Sequence, residues 1–330
     1  MHLSFGHYPT PVQRVPGVST AGSELWIKRD DLTHAVYGGN KVRKLEWVLG
    51  DLRERGARRV VTVGAVGSHF VLATCYFARQ LGIEVEAVLV PQPATPHVLD
   101  QLRAGLALGL RPFPVGSWAA APLALARRVA RGARLIMVGG SSVVGSMGYV
   151  TAARELAAQV RRGELPEPEV CVVALGSGGT AGGLSAGFAL EGMKTQVVGV
   201  CVSTPPWLTR RAALWLEGAC VRRGEGGQTT FRTTEMRLTM DARFLGAGYG
   251  HATSAGAEAT RLAAEHTGLA LDPTYTAKAF AGALWQVRAR QAAHVLYWHT
   301  LSSAPMEPLL ANAPKEDQLD AHLRALLLPD

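Results

Sequence analysis

Two lysines three residues apart raise the first chemical question. The stretch Tyr37-Gly38-Gly39-Asn40-Lys41-Val42-Arg43-Lys44-Leu45-Glu46 puts a glycine pair ahead of a helical run. Glycine reaches backbone angles that other residues avoid, so the pair suits a tight turn. Asn40 is a good helix N-cap. Lys41 and Lys44 then share one face of the first turn. A cation is disfavoured there, because the helix dipole is positive at that end. Such a lysine becomes useful when an anion or an aldehyde lies in front of it. A cationic neighbour and partial burial lower its pKa, and the neutral amine is the nucleophile that forms a Schiff base. Alone, the four residues Gly-Gly-Asn-Lys are satisfied by a turn and a surface helix, so the rest of the chain must decide.

A second candidate is the run Leu175-Gly176-Ser177-Gly178-Gly179-Thr180-Ala181-Gly182-Gly183-Leu184. A buried-type strand leads into glycines and then a helix. The backbone N–H groups of such a helix start form an anion site that a phosphate can approach closely. The alternative is close packing of a strand–turn–helix. The run lacks the lysine of a Walker loop. It contains a GxGxxA spacing, but no acidic residue ends the next strand to hold a ribose. Three smaller candidates follow. Ser68 stands at a helix start, where capping is the bland reading and proton transfer the chemical one. Tyr249 and Tyr275 lie in loops between elements, where phenols commonly cap a core. Thr300 follows the last strand, at the end where open α/β sheets keep their sites.

These residues need a scaffold, and composition allows one. The chain has 330 residues, 48% of them apolar and 18% charged, a globular balance with room for two domains. The net charge of +8 comes from arginines scattered in pairs, among only six lysines. No basic tract or nucleic-acid module gathers them, so anionic small molecules are the expected beneficiaries and nucleic acid is not. Cys75, Cys171 and Cys201 lie in apolar runs and read as reduced core residues of a cytoplasmic protein. No signal peptide, membrane span or metal-like spacing is expected.

Strand and helix signals alternate. Strands are expected over 25–28, 59–64, 83–90, 110–115, 135–138, 170–175, 197–202 and 294–298. Helices are expected from 41, then over 68–81, 95–108, 119–131, 149–162, 206–219, 254–266 and 276–290, with another from the glycine run to 190. Continuous apolar strands alternating with helices imply an α/β fold with parallel sheets covered on both faces. Residues 139–148, rich in glycine and serine, read as a hinge. Residues 222–234 read as an exposed excursion, and the tail after Asn312 is unassigned.

Together these stretches resemble the pyridoxal-phosphate enzymes of the tryptophan-synthase β-like fold, PLP fold type II. Within them the chain is similar to the group containing D-cysteine desulfhydrase and 1-aminocyclopropane-1-carboxylate deaminase. The likeness rests on Lys28-Arg29-Asp30-Asp31-Leu32, the lysine stretch, the glycine run, Asp272-Pro273-Thr274-Tyr275-Thr276-Ala277-Lys278 and His299-Thr300, in the family's order. The resemblance implies two open, twisted, mostly parallel sheets with the cofactor in a cleft between domains. The large domain would be 1–43 with 146–330, and the small domain 44–145. It implies pyridoxal 5'-phosphate held by Lys41 as a Schiff base. Lys44 and the amides of Ser177, Gly178, Gly179, Thr180, Ala181 and Gly182 would hold the phosphate. Ser68 would lie near the substrate carboxylate, Tyr249 and Tyr275 would be the active-site tyrosines, and Thr276 and Thr300 would flank the pyridine nitrogen. A homodimer is implied by analogy.

Thr276 stands where the deaminase pattern has glutamate. A hydroxyl keeps the ring nitrogen protonated less well than a carboxylate, which suits loss of a good β-leaving group better than opening of a ring. The expected reaction is Cα deprotonation and β-elimination from a small amino acid, giving a 2-oxo acid and ammonia. Departures are plain. Ser68-His69-Phe70 replaces Ser-Asn-His, with His69 in place of the asparagine that bonds the ring hydroxyl. Leu301-Ser302 replaces two glycines, and Gly67 replaces a glutamine. They leave β-replacement, the deaminase activity and a non-catalytic cofactor- or amino-acid-binding protein as alternatives. A nucleotide-binding α/β protein is a further one, but it leaves Lys41 unexplained.

Overall fold

The computed structural model describes residues 2–224 and 237–329. The chain divides into two units. The larger is Gly6–Lys44 with Ser141–Ser303, and the smaller is Met1–Phe5 with Leu45–Gly140 and Ala304–Asp330. The chain opens with β1 (Val12–Arg14), β2 (Glu24–Arg29) and α1 (Asn40–Glu54). The division between the units falls inside α1.

The smaller unit continues with β3 (Arg59–Ala65), α2 (His69–Arg79), β4 (Glu84–Val90), β5 (Gln92–Pro93), α3 (Pro96–Ala107), β6 (Arg111–Pro114), α4 (Ala121–Ala130) and β7 (Arg134–Leu135). Four strands form a parallel sheet in the order β6-β4-β3-β7. Helix starts follow local chemistry. Ser68 caps α2 by accepting from Val71 N–H, and Thr95 caps α3 by accepting from Val98 N–H, with Pro96 at its first position. β7 is shorter than expected because the chain turns into a 3-10 segment at Val138–Gly140.

The larger unit resumes with α5 (Val143–Arg161), β8 (Val170–Leu175), α6 (Gly179–Leu190), β9 (Gln196–Cys201), α7 (Pro206–Gly224), β10 (Leu238–Asp241), α8 (Ser254–Thr267), α9 (Thr276–Arg288) and β11 (His294–His299). Its six strands run β1-β2-β11-β8-β9-β10, all parallel except the β1–β2 pair. Side chains alternate across a strand. Val170 and Val172 therefore pack with Phe280 and Ala263 on the α8–α9 face, while Cys171 and Val173 pack with Leu184 and Leu156 on the α5–α6 face. Helices cover both faces, as continuous apolar strands require.

Three boundaries differ from expectation. The segment 143–148 is the first turns of α5 rather than a hinge. Ser142 caps it by accepting from Gly145 N–H, and a Cβ on Gly148 would lie 2.1 Å from Arg43 O, so the glycine serves close helix contact. The glycine run turns helical at Gly179, so only Gly176 to Gly178 form the loop. Residues 222–224 finish α7, and the rest of the expected excursion lies outside the described residues. The tail also departs from the domain boundary at 330. It forms α10 (Glu307–Leu310), α11 (Ala321–Arg324) and β12 (Leu327–Leu328), and belongs with the smaller unit. Leu327 pairs with Gln92, and Arg103 Nε donates to Pro314 O at 2.7 Å. Buried Leu309, Leu319, Leu323 and Leu326 anchor it, spaced among charges that hide the pattern. Among the described residues no helix is long and apolar enough to cross a membrane.

Candidate active site

The first turn of α1 is fixed from several sides. Gly39 has φ +89°, and a Cβ there would lie 2.6 Å from Thr300 O. Asn40 N–H donates to Thr300 O at 3.1 Å, and its side-chain amide donates to Thr180 Oγ1 at 3.3 Å. Ser302 explains one lost glycine: its Oγ accepts from Gly38 N–H at 2.9 Å and braces the turn. On the other side of the helix, Arg43 forks onto Asp30 at 2.9 and 2.8 Å and reaches Glu155 at 2.9 Å. Asp30 also accepts from Tyr149 OH and Trp298 Nε1, and Lys28 Nζ bonds Glu155 at 2.5 Å. With Arg43 held by this network, the helix presents Lys41 and Lys44 in fixed directions.

Both lysines are perturbed. Burial lowers Lys41 to about 8, with the Asp272 carboxylate opposing. Lys44, 1% exposed, falls well below the ordinary lysine value, chiefly through burial and secondarily through the charge of Lys41. Lys44 Nζ lies 3.3 Å from Ser141 Oγ. Ser141 Oγ lies 2.7 Å from Ser177 Oγ and accepts from Gly179 N–H at 3.1 Å. An amine, two hydroxyls and the start of α6 thus converge on one point. The approach depends on glycine: Gly178 has φ +91°, and a Cβ on Gly179 would lie 2.6 Å from Ser141 Oγ. The amides without a partner inside the helix are those of the first turn, because Gly182 N–H is spent on Gly178 O at 2.9 Å. The expectation that Gly182 donates to a phosphate is corrected accordingly. Gly182 and Gly183 instead admit α7 and α5, where Cβ atoms would meet Ala213 O and Ser146 O at 2.7 and 2.4 Å.

Lys41 Nζ lies 5.9 Å from the Tyr275 ring centroid. Tyr249 and Tyr275 share a hydrogen bond of 2.7 Å between their phenols. Burial raises Tyr249 to about 12 and lifts Tyr275 well above the ordinary phenol value, so both stay protonated. Lys278 holds the Tyr249 loop by donating to Leu245 O and Gly248 O at 2.8 and 2.9 Å. Asp272 takes the N–H groups of Thr274, Tyr275 and Thr276 and so fixes the entry of α9. His299 is fully buried and its pKa is lowered to about 4, chiefly by burial, which keeps it neutral.

In the smaller unit, Ser68 Oγ is engaged with Val71 N–H at 3.4 Å. His69 Nε2 lies 3.1 Å from His97 Nε2, a neighbour the sequence pattern did not suggest. A Cβ on Gly67 would lie 2.9 Å from Val98 Cα, so the close approach of α3 leaves no room for a side chain at that position.

Parallel sheets, an amine of low pKa and an anion cradle one helical turn away define a class. The sequence profile of the "Pyridoxal-phosphate dependent enzyme" family matches residues 3–300, and the chain belongs to that family. It is 35% identical over 312 residues to a D-cysteine desulfhydrase of Salmonella typhimurium, covering 90% of this chain and 93% of that one. The crystal structure of an ACC deaminase homologue superposes with a TM-score of 0.78 at 29% identity, covering 94% of this chain and 95% of that one. O-ureido-L-serine synthase shares the fold, with a TM-score of 0.66 at 14% identity over 96% of this chain and 95% of its own. The protein is a pyridoxal-phosphate-dependent lyase with an amino-acid substrate, and the type II fold is that of its relatives.

The residues present fit the cofactor. A phosphate ester calls for cations, hydroxyls and backbone amides on a surface without side chains, and Lys44, Ser141, Ser177 and Gly179 supply them. An aldehyde calls for an amine that is partly neutral near pH 7, and Lys41 has that property. Sequence reasoning missed Ser141, whose neighbours Gly139, Gly140 and Ser142 suggested a hinge. It also left Asp272 without a role, although Asp272 stood in a quoted motif.

Proposed function

We propose that the enzyme removes a β-substituent from a small amino acid, with D-cysteine the first substrate, giving a 2-oxo acid, ammonia and the free thiol or sulfide. The observation that carries this reading is the Lys41 amine, lowered to about 8, one helical turn from the cradle formed by Lys44 and Ser141. The name of the relative at 35% identity supports the substrate.

Bound pyridoxal phosphate supplies an aldehyde that captures amino groups and an electron sink for charge left at Cα. Lys41 would hold the aldehyde end of the cofactor and, as the free amine, would carry the Cα proton. Tyr275, whose ring centroid lies 5.9 Å from Lys41 Nζ, and Tyr249, bonded to it, would be further proton carriers. Their shared hydrogen bond lets one phenol donate while the other accepts. Lys44, Ser141, Ser177 and the amides of Gly178, Gly179, Thr180 and Ala181 would hold the phosphate, with Thr276 and Thr300 beside the ring nitrogen. The same reading makes the enzyme a cytoplasmic homodimer, which sedimentation and fractionation would test.

The test is a visible spectrum of the purified protein before and after borohydride, followed by assay with D-cysteine and β-chloro-D-alanine. Borohydride-fixed cofactor on Lys41, with pyruvate released from both, is the expected result. Fixed cofactor without turnover would sink the lyase reading and favour a binding protein.

A further inference from the structure

His69 and His97 stand 28 residues apart in the sequence and meet within the smaller unit, with their Nε2 atoms 3.1 Å apart. Each belongs to a fixed helix start. β3 and β4 are parallel neighbours, and α2 and α3 begin beyond their C-terminal ends. Ser68 caps α2, so His69 is its first residue; Thr95 caps α3, and His97 follows Pro96. Gly67 makes the meeting possible. A Cβ there would lie 2.9 Å from Val98 Cα, so glycine is what lets the start of α3 come this close. Two departures from the family pattern, Gly67 for glutamine and His69 for asparagine, thus serve one contact.

The two rings do not meet head-on. An imidazole centre lies about 1.15 Å behind its nitrogen, so a linear hydrogen bond of 3.1 Å would set the ring centres about 5.4 Å apart. They are 4.8 Å apart. The rings are therefore swung off the line joining the nitrogens, which makes a poor hydrogen bond. A shared metal produces that bend. Two nitrogens 3.1 Å apart, each about 2.0–2.1 Å from one metal, subtend about 100° at it and set the ring centres about 4.8 Å apart. That is the spacing found. The 38° between the ring planes is no obstacle, because turning a ring about its metal–nitrogen axis leaves its centre in place.

We infer that His69 and His97 form a two-imidazole site for a divalent transition cation, of the class of Zn2+ and Cu2+, with water in its remaining positions. Imidazole nitrogen suits these cations, whereas Mg2+ and Ca2+ take oxygen. Among the described residues no three His, Cys, Asp or Glu side chains gather to hold a metal, so the pair has no third protein ligand and the site is open. Helix starts carry partial positive charge, which opposes a cation and keeps the affinity below that of a closed four-ligand site. His97 is exposed and His69 half-buried, so solvent reaches both. The inference is independent of which amino acid the enzyme turns over.

The experiment titrates untagged holoenzyme with Zn2+ by calorimetry and with Cu2+ by electron paramagnetic resonance, for the native protein, His69→Asn and His97→Gln. Circular dichroism and thermal melting without metal check that each variant folds as the native protein does. The expected result is one Zn2+ per chain and a copper spectrum coupled to two imidazole nitrogens in the native protein. In either variant one nitrogen should be lost and the affinity should fall by about tenfold or more. Native affinity in both variants would put the metal on the cofactor or on other histidines and overturn the inference. Absence of saturable Zn2+ binding would overturn it too. If a variant fails to fold, the native copper spectrum decides: coupling to fewer than two nitrogens sinks the site.

Discussion

Lys41 Nζ lies 5.9 Å from the centroid of the Tyr275 ring, a wall that excludes water from one side of the amine. That burial is the main reason its pKa falls to about 8. An amine attacks an aldehyde only when unprotonated, so capture of pyridoxal phosphate by the cofactor-free enzyme should quicken as pH rises and level off above about 8. Stopped-flow absorbance measures this directly. Lys41→Ala should bind cofactor reversibly and retain none after borohydride. A rate still climbing toward pH 10 would mean that the amine keeps an ordinary lysine pKa.

Ser141 ties three parts of the cradle together at 3.3, 2.7 and 3.1 Å. Losing one hydrogen bond to a charged group costs about 1.5 to 3 kcal/mol. Ser141→Ala should therefore raise the dissociation constant for pyridoxal phosphate by about tenfold or more. Gly179→Ala should do at least as much, because its Cβ would lie 2.6 Å from Ser141 Oγ. Fluorescence titration of cofactor-free protein gives both numbers. Native affinity in Ser141→Ala would remove the serine from the phosphate site.

Tyr249 and Tyr275 share one hydrogen bond, so their contributions should not add. Tyr249→Phe and Tyr275→Phe are each expected to lower kcat by about a hundredfold, the ordinary size of a general acid–base contribution. The double variant should fall little further. Cofactor affinity should hold in Tyr249→Phe, since that phenol contacts Tyr275 rather than the cradle. Additive losses in the double variant would show two independent roles.

Much of this site was legible because its chemistry depends on short stretches. The lysine helix, the glycine turn before it and the Asp272 motif each carry their geometry locally, in caps and glycine angles. What stayed hidden was contact between distant stretches. Ser141 looked like part of a hinge, because nothing in the sequence says that residue 141 meets residues 44, 177 and 179. Gly182 looked like a phosphate ligand, because a run of glycines does not show where the helix begins. The difference between a glycine that binds and one that admits a neighbouring helix is tertiary, as Ala213 O beside Gly182 shows. Strands β1 and β10 are short edge strands with weak patterns, and the tail's leucines are diluted by charge.

Arg43 stands between the two functional lysines in sequence but faces the core, forked onto Asp30 and paired with Glu155. Replacing arginine by lysine keeps the charge and loses the fork. Asp30, fully buried, would keep its charge with one good partner fewer. Removing one charge of a buried pair costs about 3 to 5 kcal/mol; Arg43→Lys keeps the charge and loses only the fork, so it should lose about half of that in denaturant titration, with cofactor present or absent. A loss below about 1 kcal/mol, typical of a surface pair, would show that Tyr149 and Trp298 suffice to hold Asp30.

Glu217 offers a pH dependence of stability from a group outside the proposed cradle. It is 1% exposed on α7; Oε1 accepts from Ser185 on α6, and Oε2 has no partner among the described residues. Burial raises its pKa to about 7, with the Ser185 bond opposing. A carboxyl whose folded pKa exceeds its unfolded one binds more protons in the folded state between the two values. Stability should therefore be greatest below about pH 4.5 as far as this group is concerned, and should fall as pH rises toward about 7. The full difference is about 3 kcal/mol. His299, lowered to about 4, acts with the opposite sign, its contribution rising as pH rises from about 4 to 6.5. A comparison with Glu217→Gln isolates the first group, because glutamine keeps the Ser185 contact and does not ionise. The variant should be more stable than the native protein by up to about 3 kcal/mol at pH 8, and should match it near pH 4.5. Parallel stability curves for the two proteins would mean that Glu217 reaches solvent and titrates as an ordinary carboxylate.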